Sequence, residues 1–153
     1  MKTISTTLAA TVGLLFATAT RATENPALMQ PVKSVYDHYL KIQTSLAKDS
    51  VKGVDEEAGA IVKAVEGDSM KMLPADVAKQ ARTLSEAKDL KTARAAFKPL
   101  SDSLIKYLGD HKAKGAYVEL YCPMAKAGWL QADRNVKNPY MGSGMLTCGV
   151  IKE

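Results

Sequence analysis

Between Val32 and Leu108 an apolar residue recurs every three or four positions, in four interrupted stretches, and after Gly115 that period is lost. Such spacing lines up one face of a helix, so this part of the chain is expected to fold as amphipathic helices. Val32, Val35, Tyr39, Ile42 and Leu46 mark the first, over 32–48. Asp49 and Ser50 offer a break and an N-cap, and Val54, Ala58, Ile61 and Val65 carry a second helix over 51–65, weakened by Gly53 and Gly59. Residues 67–73 read as a connector, and Pro74 suits the first turn of a short third helix bearing Val77, Ala81 and Leu84. Asp89 can cap a fourth of about twenty residues, with Leu90, Ala93, Phe97, Leu100 and Leu104 in its stripe and Pro99 expected to kink it.

Short connections between four striped helices predict an all-α fold, an antiparallel four-helix up-and-down bundle with a small irregular C-terminal lobe. With two Phe and one Trp in the whole chain, the bundle core is aliphatic and alanine-rich. In the lobe, Tyr117, Val118, Leu120 and Tyr121 are strand-prone, as are Val150 and Ile151. Residues 117–122 can therefore pair with 147–152 in a small hairpin, which would bring Cys122 and Cys148 close. The residues between them contain Gly128, Pro139, Gly142 and Gly144 and read as irregular loop around a short turn at 129–132.

The chain opens with Lys2, an apolar run over 8–17 and small residues up to Ala22, the layout of a secretory signal peptide over 1–22. Beyond it the reading is one domain, with the helical bundle over 23–115 and the lobe over 116–153 packed on it. The protein is then expected in the periplasm or outside the cell. Removing Lys2 and Arg21 takes the formal charge from +5 to +3, too little and too evenly mixed with acids to suggest a nucleic-acid partner. No later apolar run approaches the ~20 residues of a membrane-spanning helix.

Chemistry is concentrated in the lobe, which holds both cysteines, the one tryptophan and Met124, Met141 and Met145. Thiolates and thioethers are soft donors that select Cu(I) or Ag(I) over hard cations. One reading is therefore a soft-metal site of Cys122, Met124, Met145 and Cys148, with Met141, His38 and His111 as secondary candidates. The other is a disulfide between Cys122 and Cys148, contributing ~2–4 kcal/mol by closing the loop between them. Each methionine can instead fill core space. His38 lies at the edge of the first helix's apolar face, and His111 near the end of the fourth, where a cation suits the helix terminus. Met70 and Met72 form a further thioether pair in a connector. Trp129 can cover the sulfur cluster or plug the lobe onto the bundle, and Asn138-Pro139-Tyr140 reads as a turn. There is no C-x-x-C, G-x-S-x-G, H-E-x-x-H or phosphate-binding glycine loop, and an enzyme is not expected.

The series YCPMA at 121–125, WL at 129–130, NPY at 138–140, Gly142, ML at 145–146 and CG at 148–149 resembles the C-terminal signature of a family of secreted bacterial helical domains of unknown function. The helical part, with VYDHYLKIQTSLAKDS at 35–50, is similar over nearly all of the chain beyond the signal. Members of that family occur alone or fused to periplasmic membrane-fusion components of CusB-like heavy-metal efflux systems. The resemblance implies a periplasmic module linked to copper or silver handling, with efflux components as partners. Met141 stands where the family tends to carry an aromatic residue, as an added soft donor or as a filler of the same apolar space. A soft-metal binding module is thus the first functional expectation, and a disulfide-stapled interaction domain of the cell envelope without metal is its alternative.

Overall fold

A computed structural model describes residues 28–113 and 115–152; the expected signal peptide lies outside them. Four helices come first: α1 (Val32–Ala47), α2 (Val54–Glu66), α3 (Ala75–Ser85) and α4 (Leu90–Asp110). On α1 and α3 the predicted stripe is buried throughout, on α2 all of it but Val65 and on α4 all but Leu90, which are partly buried, with Tyr36 added on α1 and Ser101 on α4. Neighbours in the chain pack on each other, α1 on α2, α2 on α3 and α3 on α4. Asp89 caps α4 by accepting the Thr92 N–H at 2.9 Å, and Pro99 lies inside one continuous helix. The start of α2 differs from expectation. Gly53, at φ +79°, occupies the cap, and the Asp49 carboxylate turns away to α4 and the C-terminal segment.

The all-α expectation is overturned by the chain beyond residue 115. It forms a three-stranded antiparallel sheet in the order β2-β1-β3, from β1 (Val118–Cys122), β2 (Ala127–Gln131) and β3 (Val150–Ile151). Residues 117–122 do meet the C-terminal segment, but the ladder is narrow: Leu120 opposes Ile151, and Tyr121 opposes Val150. The longer pairing is with β2, where Leu120 faces Trp129 and Cys122 faces Ala127. That strand occupies the stretch expected to be loop with a turn at 129–132. Its sequence, AGWLQ, lacks alternation because Trp129, Leu130 and Gln131 are all buried, so both sheet faces are covered there and the period-2 signal vanishes.

The sheet closes the helical core. Strand β2 packs on α4 and α1, and Leu120, Cys122, Trp129, Leu130 and Tyr140 belong to one buried cluster with the helix stripes. The architecture is therefore helices packed against a small antiparallel sheet around a common core. Polar groups at this junction are paired, as burial requires. The Tyr39 hydroxyl lies 2.8 Å from Ser101 Oγ on α4 and accepts the Leu130 N–H at 3.1 Å, while the Tyr140 hydroxyl donates to the Gly128 carbonyl at 2.6 Å. Among the described residues no helix is long and apolar enough to cross a membrane.

Candidate functional site

Cys122 is the last residue of β1, and its side chain is fully buried. The strand turns at once through 123–126 into β2, with Lys126 left-handed at φ +49°. The turn folds back over the sulfur, so that the Ala125 N–H points at Cys122 Sγ from 3.4 Å. Lys98 on α4 holds the same turn by donating to the Ala125 carbonyl at 2.7 Å. Cys148 comes from the segment between a 3-10 turn (Gly142–Met145) and β3, and is half-buried. The two sulfurs lie 3.2 Å apart, with both cysteines as free thiols. That is within hydrogen-bonding distance for sulfur, with either thiol able to donate. Burial pushes the Cys122 thiol up, but the Ala125 N–H, the Cys148 thiol, the Asn138 side chain and the Met124 N–H together outweigh it and hold the group below its ordinary 9.0. Cys148 is pushed above that value, first because Cys122 accepts its proton, then by burial and by the charge on Cys122. Cys122 is thus the more acidic thiol of the pair.

Asn138 fixes Cys148. It is fully buried, and its Nδ2 donates to the Cys148 carbonyl at 2.5 Å, while its Oδ1 accepts the N–H groups of Tyr140 at 2.8 Å and Met141 at 3.1 Å. Its own N–H reaches the Leu146 carbonyl at 2.8 Å. The Asn-Pro-Tyr turn expected from the sequence is thus also the clamp of the second cysteine segment. On the other side, a side chain at Gly149 would meet the Trp129 ring at 2.5 Å, so the residue after Cys148 lies against the indole. Trp129 is core, with its edge toward Tyr140, and it underlies the cysteine segment.

A second polar cluster seats the 139–143 loop. Arg94 on α4 donates from Nε to the Pro139 carbonyl at 2.8 Å and from Nη2 to the Leu46 carbonyl at 3.0 Å and to Asp49 Oδ1 at 2.5 Å. The other Asp49 oxygen accepts the Ser143 N–H at 2.8 Å and its hydroxyl. The Ser143 hydroxyl, the Arg94 guanidinium and the Ser143 N–H hold the Asp49 carboxyl at about 2, below its ordinary 3.8. A lowered carboxyl pKa stabilises the fold at pH values above the unfolded-state pKa, and that stability is lost as pH falls through the folded-state value. Acid unfolding should therefore steepen between about pH 4 and pH 2, and Asp49→Asn should flatten that part of a stability-against-pH curve followed by circular dichroism. An unchanged curve would remove Asp49 from the account. Gly142 packs on the same pair at φ +56°, and a Cβ there would lie 1.8 Å from Asp49 Oδ1. Gly142→Ala should cost ~1–2 kcal/mol for the left-handed backbone alone and more for the displaced ion pair, read from a denaturant midpoint.

The remaining sequence candidates separate. Met124, in the β1–β2 turn, is 65% exposed, and Met145, at the end of the 3-10 turn, is 41% exposed, so both thioethers are open to solvent on the two segments that carry the cysteines. Met141 is partly buried against the core, beside Tyr140 and Arg94. His38 is taken up by Glu57 of α2, with Nδ1 2.5 Å from its carboxylate. Burial alone would raise the Glu57 carboxyl, but His38 and Lys41 outweigh it and lower it. His111 caps the exposed end of α4, stacked on Tyr107 with Nδ1 2.9 Å from the Tyr107 carbonyl. Among the described residues no three His, Cys, Asp or Glu side chains gather as a metal-binding group. The donor set brought together is the sulfur pair. Sequence reasoning missed the clamp by Asn138 and the Arg94 cluster, whose partners lie far apart in the chain.

Compared with known proteins, residues 35–115 match the model of a family described as "Protein of unknown function (DUF3347)". No curated protein and no solved structure matches the chain. The matched stretch takes in α1 to α4 almost entirely and ends before β1, so the cysteine segments lie outside it. Spanning just over half of the chain, it assigns the helical part, and this protein belongs to that family of unknown function.

Proposed function

We propose that this protein is a binding module for one soft monovalent cation, Cu(I) or Ag(I), held between the sulfurs of reduced Cys122 and Cys148. The observation that carries the reading is the 3.2 Å approach of the two sulfurs, one of them favoured as thiolate by the N–H groups around it. Thiolate is the form that binds metal, and two sulfur donors without a third hard ligand suit d10 monovalent ions. With metal–sulfur bonds of ~2.3 Å, a linear two-coordinate ion needs its sulfurs roughly 4.6 Å apart, so the pair, at 3.2 Å, must open by about 1.4 Å. In this reading the Cys148 side chain, the less buried of the two, turns outward to open the pair, and the exposed Met124 and Met145 are auxiliary donors from the same two segments. A place in copper or silver handling beside a periplasmic efflux component rests on the sequence resemblance, and export rests on the signal-like layout of residues 1–22.

Titration of the reduced protein with Ag(I), followed by intact mass, should show one bound ion. Cys148→Ser should weaken binding by more than the ~10–100-fold that losing an outer-shell partner costs, while Met145→Leu should stay below ~10-fold, because the first removes a charged ligand and the second a neutral one. Equal losses in both variants would move the site to the thioethers.

The same sulfur separation supports a second reading. In it the two sulfurs are bonded, the 122–148 segment is stapled across the sheet, and the module is an interaction domain without metal. Thiol counting on protein isolated without reductant separates the two: two free thiols support the cation site, and none supports the staple.

A further inference from the structure

The two cysteines differ in access. Cys122 sits at the end of a central strand with no exposed surface, under the 123–126 turn that Lys98 holds. Cys148 is half-buried and flanked in sequence by exposed Met145, Leu146 and Val150. An attacking thiol must approach a disulfide along its S–S axis, which Cys122, with no exposed surface, does not allow, so half-buried Cys148 is the more open of the two to a reagent. Yet Cys122 Sγ is already 3.2 Å from Cys148 Sγ, within one short movement of bonding to it.

We infer that Cys122 and Cys148 form a directional thiol–disulfide exchange couple with small disulfides, entered through Cys148 and closed by Cys122. In the first step Cys148 loses its proton and its sulfur attacks one sulfur of a disulfide R–S–S–R. The S–S bond breaks, the departing RS⁻ takes up a proton, and a mixed disulfide stands on Cys148. In the second step Cys122 loses its proton and its sulfur attacks Cys148 Sγ, the mixed disulfide breaks, and the second RS⁻ leaves and is protonated. Two protein thiols become one disulfide, and one small disulfide becomes two thiols. Its place 3.2 Å from Cys148 Sγ sets Cys122 up for the second step, and its lack of exposed surface keeps it out of the first. This couple deepens the proposed function by naming what would switch the cation site off, and it is testable without any metal.

The test is reaction of the whole reduced protein with oxidised glutathione in the presence of a metal chelator, with acid quenching and intact mass at each time. The native chain should lose two hydrogens without accumulating a glutathione adduct. Cys122→Ala should accumulate one adduct at Cys148, and Cys148→Ala should react at least ~10-fold more slowly than Cys122→Ala, because the remaining sulfur is buried. Equal rates in the two variants, or a stable adduct on the native chain, would overturn the direction. Circular dichroism of each variant shows whether it is folded; if Cys122→Ala is not, differential alkylation of the native chain at short times answers the same question, with Cys148 labelled first as expected and Cys122 first as the overturning result. Since no cation takes part, failure of Ag(I) binding leaves this result standing, and failure here leaves the cation site to its own titration.

Discussion

Trp129→Ala is expected to destabilise the protein by ~3–5 kcal/mol, the range for truncating a large buried aromatic residue. The indole is completely buried on β2, its Nε1 donates to Gln131 Oε1 at 3.0 Å, and its ring stands edge-on to Tyr140 at 6.1 Å between centroids. Removal would leave a cavity where sheet, α4 and the 138–149 segment converge, because the surrounding strands cannot collapse into it without breaking the β1–β2 ladder. It would also release Gly149 from the ring surface and loosen Cys148. Urea unfolding should show the midpoint falling by most of the protein's stability margin. A cost under ~1 kcal/mol would mean that the lobe is not part of the common core.

Asn138→Ala should cost nearly as much for a different reason. It fills no large space, but its amide serves two N–H donors and one carbonyl that are otherwise cut off from water. Each buried polar group left unpaired costs ~1–3 kcal/mol, so a total of at least ~3 kcal/mol is expected. The effect on the site should be separable. Asn138 is among the groups that lower the Cys122 thiol, after burial, Ala125 and Cys148. In variant protein that remains folded at low temperature, the pH midpoint of ultraviolet thiolate absorbance, which needs no reagent to reach Cys122, should rise. A variant that loses stability while keeping the native midpoint would make Asn138 a structural clamp only.

These two residues also mark where the sequence stopped being legible. The helix stripes could be read because a period of 3.6 residues is a local property, and Val35, Tyr39, Ile42 and Leu46 on α1 are buried as that period requires. Asp89 was equally legible, since a cap and its partner lie three residues apart. Strand β2 was not, because both of its faces are covered and its identity comes from packing on α4 rather than from alternation. The same limit hid the Asp49 carboxylate. A position that suits a helix cap by spacing was claimed instead by Arg94 and Ser143, which are 45 and 94 residues away. At the site, the strand-prone flanks of Cys122 and Cys148 were enough to predict their approach. His38 and His111 meet Glu57 and the Tyr107 carbonyl, partners decided by the helices' geometry that the local sequence does not announce.

The proposed cation site requires the pair to be reduced, since a disulfide sulfur carries no thiolate charge and the exposed thioethers of Met124 and Met145 are weak donors alone. Competition of fully reduced and fully oxidised protein against a chromogenic Cu(I) chelator tests this most directly. The reduced form should withdraw one equivalent of Cu(I) from the chelator and the oxidised form none; equal withdrawal by both forms, or none by either, would contradict it.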